Sequence, residues 1–346
     1  MGTRRQVTLS MTAATAHAAQ LCIDALSTAT PASRSPLHTV ISMASTLESS
    51  RQAWVIHGQS HSRRVGNWPA WFARNAVEKP LLYLHSAHSA AQLSALSNVT
   101  RQRGILCNDI ENQPSRWPKG AQPSLPLWLA THPRCTPYDP ASGEEARAIV
   151  LAALRSLYVE GKPGFYYLAL HDQDSAAPLS EQDREAALKG MYPLQRNSPF
   201  DVRLLGAGRA LDEVVHARRL LKQHWNISAQ LWSCPSYTRL AREAAAAERW
   251  NRLHPRLPKR GCHLRDCLAG SAAPVIAVTG YPQAIVDQLG AHVDARFVAL
   301  GAGSVQAAAP SRYWIVVSAL RALADEGRID TRQVQDAMKR YAVECE

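Results

Sequence analysis

DVRLLGAGRALDEVVHARRLLKQHWNISAQLWS, residues 201–233, decides the fold. Val202, Leu204 and Leu205 form a short apolar run that stops at the small-residue turn Gly206-Ala207-Gly208. Beyond it Leu211, Val214, Val215, Leu221 and Trp225 fall on one face of a helix with a period near 3.6 residues. AQLWS (229–233) is again an apolar run of strand length. Strand, helix and strand in succession predict parallel neighbours joined by a crossover helix.

The same alternation extends in both directions. Downstream, PVIAVTG (274–280) and RFVALG (296–301) predict strands and 311–327 a helix. Asp330 and Gln333 are spaced as a capping box before a last helix. Upstream, helices are predicted at 12–28, 68–76, 90–99 and 143–159. Strands are predicted at LHTVISM (37–43), AWVIH (53–57), PLLYLHS (80–86), RGILC (103–107), LWLATH (127–132) and GFYYLALHD (164–172). Residues 108–126 hold four prolines and no periodicity, which predicts a loop. The polar stretch 172–190 is the best boundary. The expectation is an α/β chain of two domains, each a mostly parallel sheet with helices on both faces. The first domain covers 1–175, a linker 176–200, and the second domain 201–346.

Bulk properties narrow the function classes. Hydrophobic residues are 46% of 346, enough for two cores, yet no apolar run reaches the ~18 residues of a membrane span. The first twenty residues lack the continuous apolar segment of a signal peptide. Seven scattered cysteines fit a reducing cytoplasm better than a disulfide framework. On that reading NVT at Asn98 and NIS at Asn226 match the glycosylation pattern by chance. The net charge of +11 favours acidic partners, but the basic residues are dispersed and match no nucleic-acid motif, so nucleic acid is not the expected partner.

Local motifs carry little chemistry. GAG (206–208) is half of a dinucleotide fingerprint, with Leu211 where a third glycine would stand and Gln230 where an acid would. A tight strand-to-helix turn, which needs small residues anyway, is the expected reading. Cys262, His263 and Cys267 have no second ligand pair at short spacing, so no metal is expected. His57 and His61, like His85 and His88, are close in sequence but lie in strand-end segments that do not align them. No GxSxG frames a nucleophile. ERWNRLHP (248–255) follows an alanine-rich helix; His254 is read as structural, Trp250 as packing and Asn251 as tying the turn.

Longer stretches resemble one family. GFYYLALHDQD (164–174), EAALKGMYPL (185–194), the block from Asp201 to Pro255, CTPYDP (135–140) and DEGRIDTRQVQDAM (325–338) are similar to the C-terminal half of the decarboxylating component of homodimeric pyruvate dehydrogenase complexes. The likeness is strong from about 127 to 300. That family's enzymes use thiamine diphosphate on three α/β domains. The first holds diphosphate and Mg²⁺, the second grips the aminopyrimidine, and the third is mainly structural and helps form a dimer. The resemblance implies a degenerate pyrimidine-binding-like domain at 1–175 and a transketolase C-terminal-like domain at 201–346, with the diphosphate domain not represented.

It also implies a changed site. GQSH (58–61) stands at the place of a segment like GINE, so His61 replaces the glutamate that activates the cofactor. YLHSAHSAAQL (83–93) has lost the phenylalanines of the pyrimidine-packing segment. PKGAQPSLPLW (118–128) has no counterpart to the histidines of GEGLQHEDGHSH, and GAGSVQAAAP (301–310) replaces GTDGFGRSD. These departures imply no catalytic, cofactor or metal residue on this chain beyond the candidate His61. Thiamine diphosphate and Mg²⁺ would be used only with a partner chain completing the site. The implied role is a binding or scaffold subunit, as homodimer or heteromer with a related enzyme chain. The alternative is a subunit of a split enzyme for 2-oxo acid decarboxylation or ketol transfer.

Overall fold

The computed structural model describes residues 2–28, 33–58, 79–99, 103–175, 179–196, 199–303 and 309–343. The chain divides into two units, Met1–Ala176 and Ala177–Glu346. Each carries a five-stranded, mostly parallel sheet with helices on both faces.

In the first unit the elements run α1 (Gly2–Thr28), α2 (Pro36–Ser50), β1 (Trp54–His57), β2 (Leu81–His85), α3 (Ala90–Val99), β3 (Arg103–Asn108), α4 (Ser124–Thr131), β4 (Cys135–Tyr138), α5 (Gly143–Leu154) and β5 (Gly164–Ala169). The strand order is β1-β2-β3-β5-β4, all parallel. Helix α2 packs on α5 and α1, while α3 packs on α4. The close approach of α2 and α5 requires Gly143, since a Cβ there would meet Thr39 Oγ1 and lie 2.7 Å from Ser33 O. Helix α5 ends in a π-helical turn, Arg155–Val159.

Two expectations fail here, and one strand was not foreseen. LHTVISM (37–43) is not a strand but the body of α2. Ser35 caps that helix by accepting from His38 N–H at 3.2 Å, Pro36 occupies its first turn, and Thr39, Val40, Met43, Ala44 and Leu47 are its buried face. That spacing shows only in a window longer than seven residues. LWLATH (127–132) belongs to α4, which buries Leu125, Pro126 and Leu129; short apolar runs do not separate helix from strand. CTPY is β4, hidden because it contains Pro137, which an edge strand tolerates. The helix expected at 68–76 lies outside the described residues.

The second unit runs α6 (Arg184–Lys189), β6 (Tyr192–Pro193), β7 (Val202–Gly206), α7 (Ala210–Trp225), β8 (Ala229–Ser233), α8 (Tyr237–Leu253), α9 (His263–Leu268), β9 (Val275–Pro282), α10 (Ala284–Asp287), β10 (Phe297–Ala302), α11 (Arg312–Asp325) and α12 (Thr331–Tyr341). The order is β10-β9-β7-β8-β6, with only β6 antiparallel. Residues 176–200 were expected to be a linker, yet they supply α6 and the edge strand β6. The buried face of α8 is Leu240, Ala241, Ala244 and Ala247. The alanine-rich run thus brings a helix close to the sheet, packing on a core of Leu205, Trp232, Val275 and Ala277. Asp330 caps α12 by accepting from Arg332 N–H at 2.8 Å. The reciprocal half of the capping box is not made: Gln333 Oε1 is buried with no hydrogen-bond partner among the described residues.

Candidate functional site

In parallel α/β sheets ligands bind beyond the carboxyl ends of the strands. At that rim of the first unit, β2 ends in His85, β3 in Asn108 and β4 in Tyr138-Asp139. After β3 the chain must pass β5 to reach β4, so the loop 109–123 crosses the rim. Asn112 anchors it, donating from Nδ2 to Leu170 O at 3.0 Å and accepting from Asp172 N–H at 3.0 Å. Asn108 is fully used: Oδ1 accepts from Ala87 N–H at 3.0 Å and Ile110 N–H at 3.2 Å, and Nδ2 donates to Ala87 O at 2.7 Å and Tyr167 Oη at 2.9 Å.

The crossing loop carries Lys119, whose backbone is left-handed at φ 52° and whose side chain is only 4% exposed. Its ammonium donates to Glu111 and, at 3.0 Å, to Asp139. The three form a buried triad with one cation and two anions. The two partners respond oppositely. Burial disfavours the ammonium, but two carboxylates overcome that and raise the Lys119 pKa. Asp139 faces burial, one cation and one further anion, and burial dominates, pushing its pKa up to about 6. Its Oδ2 is buried without a hydrogen-bond partner among the described residues.

His85 is the second titratable group of the rim. Ala87 N–H donates to its Nδ1 at 3.3 Å, which places the ring proton on Nε2. Nε2 is buried with no partner among the described residues, and burial lowers the pKa to about 3. The ring is a neutral donor at physiological pH.

The structure places the other candidates as follows. His57, at the end of β1, pairs with Glu48 at 3.0 Å on the surface. His61 lies outside the described residues, as does half of GAGSVQAAAP. His85 and His88 do not converge, one being buried and the other exposed. YLHSAHSAAQL holds the end of β2 and the start of α3, and PKGAQPSLPLW supplies Lys119 and α4. At GAG, a Cβ on Gly206 would come within 2.9 Å of Leu211 Cα and Gly208 has φ 50°, so close strand-to-helix packing accounts for both glycines. Cys267 Sγ lies 3.4 Å from His263 Nε2, but that nitrogen also meets Met191 O at 2.8 Å. Burial, reinforced by Asp266 and Glu243, pushes the thiol up to about 12. No group of three or more metal-ligating side chains forms among the described residues.

ERWNRLHP is a structural knot in the second unit. Glu248 Oε1 accepts from His292 Nδ1 and from Arg265, each at 2.8 Å, and these partners hold the carboxyl below its usual range. Asn251 brackets the Arg260 backbone at 2.8 and 3.1 Å. The His254 ring stacks on Trp250 at 3.6 Å and the Arg260 guanidinium lies 3.3 Å from the same ring centre. His254 is a packing residue, as read from the sequence.

Comparison with known proteins places these observations. Residues 190–304 match the transketolase-like TK C-terminal domain. The pyruvate dehydrogenase E1 component of Cupriavidus necator is 36% identical over 234 residues, 62% of this chain and 26% of that protein. Part of the chain is similar to the pyruvate dehydrogenase E1 component. The corresponding proteins of Pseudomonas aeruginosa and Escherichia coli K12 are 33% and 30% identical, over 64% and 62% of this chain and 27% and 26% of theirs. The chain thus spans about a quarter of the length of the curated E1 components it matches. Among solved structures, a split gene transketolase, an inactive beta4 tetramer, aligns with TM-score 0.54 and 14% identity over 84% of this chain and 99% of that one. Leishmania mexicana transketolase aligns with TM-score 0.54 and 13% identity over 91% of this chain and 47% of that one. At such identities the likeness is one of fold.

The E1-like rim can be tested against the cofactor that the resemblance implies. Activating an aminopyrimidine takes a carboxylate free to hydrogen-bond a ring nitrogen. Glu111 and Asp139 are bonded to Lys119, and Asp109 accepts from Ser86. The carboxylates that end β3 and β4 therefore do not fit that role. The triad had no signal in the sequence: its members are separated by 8 and 20 residues and meet only because the loop crosses the rim.

Proposed function

We propose that this chain is a binding or scaffold relative of the thiamine-diphosphate decarboxylating enzymes, without catalysis of its own. It acts by associating with itself or with a related enzyme chain. The observation that carries the reading is the Lys119–Glu111–Asp139 triad. Where a catalytic rim would hold ionisable groups toward a ligand, this one binds its charges to one another under a crossing loop. The fold-level likeness to a split gene transketolase chain that forms an inactive beta4 tetramer supports assembly without turnover. The test is titration calorimetry of the purified protein with thiamine diphosphate and Mg²⁺, paired with light scattering for assembly state. No saturable binding from a multimeric species is expected; micromolar binding by this chain alone would overturn the proposal.

The same neighbour favours a second reading, a subunit of a split thiamine-diphosphate enzyme. A separate chain would supply the diphosphate and Mg²⁺ site, and the reaction would be 2-oxo acid decarboxylation or ketol transfer. Co-expression with a candidate partner then yields cofactor-dependent turnover that falls in His61→Ala. A complex that assembles but turns nothing over, and ignores that substitution, refutes it.

A further inference from the structure

The second unit has a cavity of about 360 Å³ beside the start of β8, between the later turns of α7 and the segment leading into β7. Helix α7 contributes Arg218, Arg219 and Lys222 to its wall, β8 contributes Gln230, and the β7 approach contributes Phe200. None of the ten lining residues is acidic.

Several described arginines of this unit have carboxylates: Arg312 binds Glu213, Arg265 binds Glu248, Arg296 binds Asp325 and Arg328 binds Asp201. Arg218 and Arg219 have no ion pair among the described residues, and Lys222 meets only the neutral oxygens of Asn226 at 3.0 Å and Ser228 at 3.3 Å. Arg218 and Lys222 are four apart on one helix, a like-charge spacing that destabilises the helix. The charge of the helix C-terminus explains a cation in the last turn, where Lys222 stands, but not two arginines before it. Three cations facing one concavity with no counter-charge form an anion site.

The rest of the wall narrows the ligand. Phe200 offers an aromatic surface, with the Arg203 guanidinium 5.1 Å from its ring centre. Gln230 Oε1 accepts from Arg203 Nε at 3.3 Å and Trp232 Nε1 at 3.0 Å, which leaves its NH₂ as the donor end. Guanidinium forks match the oxygens of a phosphate group, and a ring matches Phe200. The volume lies at the lower end of the range for small-molecule sites. We propose that this cavity binds a small phosphomonoester carrying a planar ring. The proposal is independent of what the rim of the first unit does.

Phenyl phosphate is the probe, with phenol, inorganic phosphate and a single-stranded oligonucleotide as comparison arms, followed by calorimetry on the full chain. Phenyl phosphate is expected to bind at one site per chain, more tightly than inorganic phosphate, and phenol is expected not to bind. Arg218→Gln/Arg219→Gln should weaken phenyl phosphate at least about tenfold, with an unchanged melting temperature. Hydrogen-exchange protection should map to residues 216–230. Three results overturn the proposal: no binding of phenyl phosphate at millimolar concentration, affinity unchanged in the double variant, or an oligonucleotide that binds more tightly than phenyl phosphate and protects a wider surface.

Discussion

Replacing Asp139 by asparagine should leave the first unit as stable as before at neutral pH, or more stable, although Asp139 is in an ion pair. Lys119 is flanked by two carboxylates, and burial pushes Asp139 from the ordinary aspartate value of 3.8 up to about 6. For a carboxyl raised on folding, the folded chain keeps a proton between those values that the unfolded chain has lost. Its favourable contribution is complete below the unfolded pKa and disappears as pH rises through the folded one. Two pKa units correspond to at most ~3 kcal/mol of destabilisation by the ionised group near neutrality. Asp139→Asn removes that charge and keeps Lys119 paired with Glu111. Lys119→Met does the opposite, leaving the buried Asp139 without its cation at ~3–5 kcal/mol. His85 complicates the wild-type curve, because its pKa falls to about 3 and its contribution is lost as pH drops below the unfolded histidine value. That term is common to wild type and variant and cancels in their difference. The assay is urea denaturation read by hydrogen-exchange mass spectrometry on the β3 and β4 peptides, which separates the first unit from the second. The stability of Asp139→Asn relative to wild type should increase by ~1–3 kcal/mol from about pH 4 to about pH 7. A flat difference, or a loss at neutral pH as large as that of Lys119→Met, would refute the charge count.

Three further outcomes are expected. Asn108→Ala removes four hydrogen bonds, takes the printed partner from the buried Ala87 C=O and leaves Ala87 N–H only its longer bond to His85 Nδ1, so equilibrium unfolding should show a loss of ~3 kcal/mol. Gly143→Ala forces a methyl group against Thr39 and Ser33, and thermal denaturation should show ~1–3 kcal/mol of destabilisation; a neutral result would mean that α2 and α5 separate at no cost. The ring protons of His85 should show no titration in NMR between about pH 5 and about pH 8, whereas an inflection near the ordinary histidine value would mean that solvent reaches the ring.

The second unit was legible in sequence because its β7-α7-β8 unit agrees with itself at every level: apolar runs of strand length, small residues at the turn, and one apolar helical face. The first unit was harder. Thr39, Val40 and Ile41 look like a strand until Leu47 completes the helical period, and Pro137 disguises a strand that sits at an edge. The site was least legible, since a buried triad of ordinary charged residues has no spacing rule. The resemblance located the loop that carries Lys119 but described it only by what it lacks. ERWNRLHP was read correctly as structural because a helix end and a proline set its geometry.

The two strand orders imply different assembly histories on the ribosome. In the second unit β7, the first parallel strand to emerge, is also the central one, and β8 and β9 add to its two sides as they are made. In the first unit β4 is made before β5 but is hydrogen-bonded only to it. Until residues 164–169 emerge, β3 exposes an unpaired edge, β4 has no neighbour, and Lys119 and Asp139 have no fixed frame on which to meet. Nearly the whole first unit must be translated before its sheet can close, and its buried charges are among the last groups to leave water.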